Sequence, residues 1–329
     1  MTRVLSGIQP TGEIHLGNYV GAIRQWVADQ HAHDAFFCVV DLHALTVEID
    51  PAELRAKTLE AATILLAAGL DPDVCTLFVQ SHVSAHAELS WLLECVAAFG
   101  ELRRMTQFKD KTARGGEGAA RVGLFTYPVL QAADILLYDT DRVPVGSDQR
   151  QHLELCRDIA IRFNQRYGET FVVPTAAIPK VGAKVMDLQE PAQKMSKSRS
   201  SPQGKVLVLE PPEAITRKVK RAVTDVETEV RYNPVHKPGV SNLLELLAVG
   251  TGESPSALAE RYSQYGPLKA DAAAAVVEFL RPLQSRYAEL AADPAYVQEV
   301  LAKGAAKAEK IASATLRRAQ DAMGILPRQ

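Results

Sequence analysis

The chain opens on an apolar run, "RVLSGI" (3–8), and the pattern returns as "AFFCVV" (35–40) and "CTLFVQ" (75–80). Short runs that are apolar at nearly every position read as strands buried on both faces. Between them the period becomes helical. Val20, Ile23, Trp26 and Val27 recur at three- and four-residue steps and predict a helix from near Asn18 to about His33. "DPAELRAKTLEAATILLAAG" (50–69) carries its own punctuation: Asp50 as N-cap, Pro51 at the first helical position, Glu53 placed for a reciprocal cap, and Gly69 at the end. "AHAELSWLLECVAAF" (85–99) and "FTYPVLQAADILLY" (125–138) predict two more helices. "DRVPVGSDQRQHLELCRDIAIRF" (141–163) predicts a short strand and then a long helix. Strands alternating with helices of this length imply an α/β fold, a Rossmann-like doubly wound parallel sheet, with ligands bound at the carboxyl ends of the strands.

Two segments break the pattern. "KTARGGEGAARVG" (111–123) is glycine-rich and charged and reads as a loop, and "DLQEPAQKMSKSRSSPQGK" (187–205) is polar, proline-punctuated and aperiodic, a connection between domains. From Pro211 onward nearly everything reads as helix, with breaks near 234–239, 250–255 and 266. The expected organisation is a Rossmann-like domain over 1–190, a loop over 191–205, and a helical domain over 206–300. A last helix over 301–329 is placed to pack back on the first domain.

Composition narrows the picture. At 329 residues the chain has room for about two domains, and 47% apolar with 23% charged residues is ordinary for a soluble globular protein. A formal net charge of -2 gives no global basic field, so a nucleic-acid partner must be held by local patches. Cys38, Cys75, Cys95 and Cys156 show no CxxC spacing and read as core residues in a reducing compartment. No cysteine follows Cys156, so no iron–sulfur cluster or structural zinc is expected. The N-terminus lacks a secretory apolar segment and no run reaches membrane-spanning length; the expected location is the cytoplasm.

The chemistry concentrates in two places. "SGIQPTGEIHLGN" (6–18) lies where the first strand ends, and Gly7, Gly12 and Gly17 let backbone approach a bulky ligand. The helix that follows aims free N–H groups at the turn, while His15 and Asn18 can donate to phosphate or ribose; a plain loop is the competing reading. "KMSKS" (194–198) sets two lysines three apart, with Ser196 and Ser198 beside them, on a loop that could clamp a polyphosphate. Alone, it reads as well as a solvated charge run.

Together, H-x-G-N at 15–18 and KMSKS resemble the paired signatures of class I aminoacyl-tRNA synthetases. "SGIQPTGEIHLGNYVGAI", "FCVVDLHALTV", "GELRRMTQFKDK", "AADILLYDTDRVPVGSDQ" and "AVTDVETEVRYNP" follow in the order of the bacterial tryptophanyl-tRNA synthetases over nearly the whole chain. The resemblance implies that Gln9, Pro10, Thr11, Gly17 and Asn18 contact ATP, with His15 in the first signature position and Asn18 replacing its final histidine. Gly146, Ser147 and Asp148 would lie against the adenosine, and backbone near Val185 and Met195 would hold adenine. Lys194, Lys197 and Lys111 would bind the β- and γ-phosphates. Tyr127 and Gln149 would hold the α-amino group. Leu5, Gly7, Val143, Val145 and His43 would wall the side-chain pocket.

Asp134 is the expected specificity residue, because indole offers one polar atom, an N–H that only donates, and needs one acceptor at the end of a dry slot. An ion pair with a nearby arginine, or the capping of a turn, is the competing role. Gln131 stands where bacterial tryptophan enzymes commonly carry methionine, and Tyr127-x-x-x-Gln131-x-x-Asp134 is similar to the tyrosine-binding helix of the sister tyrosyl enzymes. Gln131 either contacts substrate or orients Asp134. The implied reaction is ATP-dependent formation of tryptophanyl-adenylate with Mg²⁺, then transfer to tRNA, by a homodimer whose interface lies around 75–125. The basic residues expected at the RNA are Arg103, Arg104, the cluster Arg217, Lys218, Lys220 and Arg221, and the stripe Lys303, Lys307, Lys310 and Arg317. The helical half would serve anticodon recognition. The alternatives are a tyrosyl-tRNA synthetase, a non-catalytic paralogue that binds amino acid or RNA, and a small-molecule nucleotidyltransferase.

Overall fold

The computed structural model describes residues 1–109, 121–144, 146, 149–177, 184–197 and 200–327. Lys111, Val145, Ser147, Asp148 and Ser198 lie outside the described residues. The first half runs β1 (Arg3–Ile8), α1 (Leu16–Asn18), a π-helical turn (Tyr19–Ile23), α2 (Arg24–Asp29), β2 (Asp34–Val39), α3 (Asp41–Ala44), α4 (Pro51–Ala67) and β3 (Thr76–Val79). It continues with α5 (Ala85–Glu94), α6 (Phe99–Arg103), α7 (Val122–Leu136), β4 (Arg142–Pro144), α8 (Arg150–Tyr167) and β5 (Thr175–Ala177). The helical half consists of α9 (Pro212–Lys220), α10 (Pro238–Thr251), α11 (Pro255–Ala259), α12 (Tyr265–Ala291) and α13 (Pro294–Ala322).

The five strands pair in parallel in the order β3-β2-β1-β4-β5. The chain winds outward from β1 in one direction and then returns to its other side. The carboxyl ends of β1 and β4 therefore flank the point where the winding reverses, the usual position of a ligand crevice. Alternation along the strands divides the core: Val4, Ile8, Phe37 and Val39 pack on one face with α4, while Leu5, Phe36, Cys38 and Phe78 pack on the other with α5, α7 and α8. The first of these clusters runs on through Leu243, Leu244, Leu268, Val276 and Leu280, so the helical half shares a core with one face of the sheet.

Several expectations shift in detail. The helix expected from Asn18 begins at Leu16 and passes through the π-helical turn before ending at Asp29. Asp50 caps α4 by accepting from the N–H groups of Ala52 and Glu53 at 2.8 and 3.0 Å; the cap is one-sided rather than reciprocal. The helix expected over 85–99 divides into α5 and α6. Residues 221–237, expected as mostly helix, lack regular structure. The ammonium of Lys237, 1% exposed, gathers that segment by donating to Asp225 at 3.0 Å and Glu227 at 2.6 Å. Helix α13 lies along the β3 edge so closely that a Cβ at Gly304 would meet the Leu77 carbonyl oxygen, which excludes any larger residue there. No helix among the described residues is long and apolar enough to cross a membrane.

Candidate active site

The turn after β1 is shaped by its own residues. Gly12 has a φ of +63°, a left-handed conformation that favours glycine. Gly17 is crowded instead: a Cβ there would sit 3.0 Å from the His15 ring, so the ring and the start of α1 pack against each other. His15 is 2% exposed and serves as N-cap, its Nδ1 accepting from the Asn18 N–H at 3.3 Å while the Asn18 side-chain oxygen accepts from the His15 N–H at 3.2 Å. Burial first, and the nearby lysines 197, 205 and 194 next, lower His15 to about 4. It is thus a neutral cap whose Nδ1 is occupied as an acceptor, which leaves Nε2–H as the nitrogen that can donate.

Because this ring protonates more readily in the unfolded chain, it contributes stability that is complete above pH 6.5 and is lost as pH falls toward 4. The loss by pH 5 is about 2 kcal/mol. His15→Asn keeps an acceptor in the same place but does not titrate. The urea midpoint of the variant should therefore fall less than that of the parent between pH 7 and pH 5.

Backbone pairing brings the two signature segments together. Leu16 donates to the Val206 carbonyl at 2.8 Å and Val208 to that of Ile14 at 3.0 Å, so the chain after the KMSKS loop runs antiparallel to the first turn. Lys197 donates to the carbonyl oxygens of Gln9 at 2.9 Å and Thr11 at 3.1 Å. Burial and the neighbouring Lys57 lower Lys197 to about 8, against an opposing pull from Glu60. On the other side of the loop, Met195 donates to Val185 at 3.2 Å, and both residues are buried. That one bond engages the Met195 N–H and the Val185 carbonyl together. Asn242 on α10 secures this hairpin through the backbone N–H and C=O of Met186, at 2.9 and 3.0 Å.

At the carboxyl ends of β1 and β4 lies a cavity of about 520 Å³. Leu5, Gly7, Gln9, Gly17, Asn18, His43, Tyr127, Gln131, Asp134, Val143, Gly146, Gln149 and Lys194 line it, residues drawn from every part of the first half and from the loop. Pro10, Thr11, His15, Val185, Met195, Ser196 and Lys197 are not among its described walls. A larger cleft of about 920 Å³ between the α1 region and the helical half includes none of the expected site residues. The expected site residues that share a cavity share the smaller one.

Asp134, 4% exposed, is gripped from three directions. Gln80 Nε2 and His86 Nδ1 meet its Oδ1 at 2.7 and 2.6 Å, and His43 Nε2 meets its Oδ2 at 2.8 Å. Burial alone would raise its carboxyl, but His43 and His86 override that and hold it well below the usual carboxylate range. Its partners are two histidines and an amide, not the arginine of the competing reading. A carboxylate has about four acceptor positions. Among the described residues three are taken, which leaves one on Oδ2; Leu5, Val143 and Ile135 line the same cavity. Gln131 does not orient Asp134: its amide reaches Gln149 at 3.5 Å, and it stands on the cavity wall one helical turn away. The Tyr127 hydroxyl meets Gln107 at 2.7 Å and His152 Nε2 at 2.8 Å. Gln80 and His86 had no role in the sequence reading. Their only signal was a polar residue at the end of an apolar strand and another in the first turn of a helix.

A model of the family "tRNA synthetases class I (W and Y)" matches residues 1–281. The chain belongs to that family. It is 58% identical to "Tryptophan--tRNA ligase 1" of Streptomyces coelicolor, over 99% of this chain and 98% of that protein. It is also similar to the tryptophanyl-tRNA synthetase structure from Mycoplasma pneumoniae, with a TM-score of 0.91 at 35% identity over 99% of this chain and 98% of the other. The enzyme from Campylobacter jejuni, complexed with ADP and tryptophan, gives a TM-score of 0.87 at 35% identity over 98% and 100% of the two chains. Full-length agreement at these identities places the chain among the bacterial tryptophan members of the family, with the Rossmann-like sheet and C-terminal helices of the class I fold.

Proposed function

We propose that this chain attaches L-tryptophan to its tRNA through a tryptophanyl-adenylate, as an AMP-forming tryptophan–tRNA ligase. The observation that carries the reading is a buried, ionised Asp134 on the cavity wall with one acceptor open among the described residues, suited to one N–H donor. The tryptophan carboxylate, already ionised at neutral pH, attacks the α-phosphorus of ATP in line, and pyrophosphate leaves. The 2′-hydroxyl of the terminal tRNA ribose then attacks the acyl carbon of the adenylate, the acyl–phosphate bond breaks, and AMP and the hydroxyl proton leave. No protein nucleophile is needed, so catalysis comes from positioning and from charge held against the leaving group. Lys194 on the cavity wall and Lys197 above the signature turn supply that charge. Mg²⁺ enters with the ATP phosphates as part of the substrate. Tyr127 keeps an oxygen lone pair for the substrate's α-ammonium, with Gln149 beside it.

Amino-acid-dependent exchange of pyrophosphate into ATP, run with tryptophan and tyrosine side by side, tests this reading. Exchange with tryptophan alone is expected; exchange driven by tyrosine, or by neither, overturns it.

Assembly and RNA contacts follow from surfaces. Trp91, Phe99 and Val122 are 65%, 69% and 77% exposed, and Leu45 lies nearby in a shallow groove with Trp91. Phe99 packs on Phe125 with ring centroids 4.9 Å apart, so the patch is ordered rather than splayed. An apolar surface of this kind supports a homodimer contact on α5, α6 and the start of α7. Trp91→Glu should shift sedimentation toward the monomer.

For RNA, Arg217, Lys220 and Arg221 are exposed at the end of α9, and Lys307, Lys310 and Arg317 along α13. Lys218 does not belong with them: it is 7% exposed and bonded to Glu210 and to the Lys205 carbonyl. Removing Arg217 and Lys220 together should flatten the salt dependence of tRNA binding by about one unit of log–log slope or more. The cytoplasm is the location that suits this activity. Cys38, Cys75 and Cys156 are buried as the sequence led one to expect, whereas Cys95 is exposed and is not a core residue.

A further inference from the structure

Asp134 and Tyr138 stand four residues apart, at the end of α7 and one turn on, and the His86 ring fills the space between them. His86 Nδ1 is 2.6 Å from Asp134 Oδ1, and His86 Nε2 is 2.8 Å from the Tyr138 hydroxyl. Both His86 and Tyr138 are wholly buried, with the Phe78 ring against each of them.

Resting on the tryptophan reading above, we propose that Tyr138, His86 and Gln80 are positioning residues that fix the Asp134 carboxylate with one lone pair turned to the substrate, and thereby set the requirement for an N–H donor.

The argument is one of hydrogen-bond valence. A carboxylate only accepts, so His86 must present Nδ1–H to it. With Nδ1 protonated in a neutral ring, Nε2 carries a lone pair, and the Tyr138 O–H is the donor that satisfies it. The phenol therefore locks the tautomer. The opposite tautomer would set the Nδ1 lone pair against the lone pairs of Oδ1, a buried repulsion that turns the carboxylate away. Gln80 completes the hold on Oδ1, and its own oxygen accepts from the Leu42 N–H at 3.1 Å, so the amide cannot flip without losing two bonds. With Oδ1 saturated and one side of Oδ2 taken by His43, rotation of the carboxylate about its bond would break three contacts at once. The remaining acceptor keeps its direction, and that direction selects the ligand. This is the arrangement by which metal-binding histidines are held by outer carboxylates, used in reverse: here the histidine orients the acid.

The test compares L-tryptophan with 3-benzothienyl-L-alanine, which has sulfur in place of the indole N–H, by the ratio of kcat/KM in pyrophosphate exchange. The parent should prefer tryptophan strongly. Tyr138→Phe and His86→Leu should each lower the preference by about tenfold or more, by raising KM for tryptophan. The sulfur analogue and the KM for ATP should change by less than about twofold. His86→Asn places an amide N–H where Nδ1–H stood and should restore most of the preference, a rescue that a merely structural role for the ring does not predict. Parallel losses for both amino acids, an unchanged ratio in Tyr138→Phe, or His86→Asn no better than His86→Leu would each overturn the proposal. A folding defect in His86→Leu leaves the Tyr138→Phe comparison decisive. The broader reading fails differently: a parent with no tryptophan-driven exchange removes the activity itself, and a parent blind to the sulfur substitution removes Asp134 as the reader of the N–H.

Discussion

Asp134→Ala should lower kcat/KM for tryptophan by about a thousandfold or more, because it removes the acceptor and leaves its donors stranded. Sites built around a hydrogen bond to substrate discriminate by about 10⁴ against a ligand that cannot complete it, well beyond what an apolar wall achieves. Three buried donors, on Gln80, His86 and His43, would lose their partner together. Each unsatisfied group costs about 1–3 kcal/mol, so the variant should also melt earlier. Asp134→Asn separates the two effects. It keeps the volume, yet its NH₂ must face either a histidine N–H or the indole N–H, and selectivity should collapse while stability falls less. Steady-state exchange with tryptophan and thermal melts of both variants check this. Retention of more than about a tenth of the parent kcat/KM by Asp134→Ala would contradict the role.

Lys197→Ala should slow adenylate formation by about a hundredfold or more while changing ATP affinity little. In its observed position the ammonium already donates to the Gln9 and Thr11 carbonyls. Reaching a polyphosphate means giving those bonds up, so part of the attraction to bound ATP is cancelled. The gain comes later, as charge builds on departing pyrophosphate in a site that excludes water. Single-turnover rates set against equilibrium ATP binding distinguish the cases; equal losses in both would count against this role.

A pH dependence accompanies it. Lys197 is lowered to about 8, so its charge disappears as pH rises through that value, and kcat/KM for ATP should fall with an alkaline limb near pH 8. Lys197→Arg, with a guanidinium that does not titrate in this range, should remove the limb even if its absolute rate is low.

Much of this was legible in the residues. The apolar runs at 3–8, 35–40 and 75–80 lie within one residue of strands β1 to β3, because a strand buried on both faces has no polar alternative. The capping signal at Asp50 and Pro51 placed the start of α4, since those residues satisfy or lack the N–H groups that a helix start leaves free. The segment at 221–237 was not legible. Its conformation depends on a buried Lys237 ammonium gathering Asp225 and Glu227, and no local period encodes that. Lys218 was misread for a related reason: a lysine in a basic run has the same one-letter pattern whether it faces water or Glu210.

By itself, the sequence determined the alternation of strands and helices, the two signature segments, and Asp134 as the acidic residue of an apolar helix. Those are properties of neighbours along the chain, where period and residue type carry the information. Tertiary structure alone decided what holds Asp134, since Gln80, His86 and His43 reach it from 54, 48 and 91 residues away. It also made His15 a neutral cap on the first helix and set Lys197 over the first turn. A buried polar group takes its meaning from the partner that satisfies it, and that partner is chosen by the packing of the sheet and its helices rather than by the chain on either side.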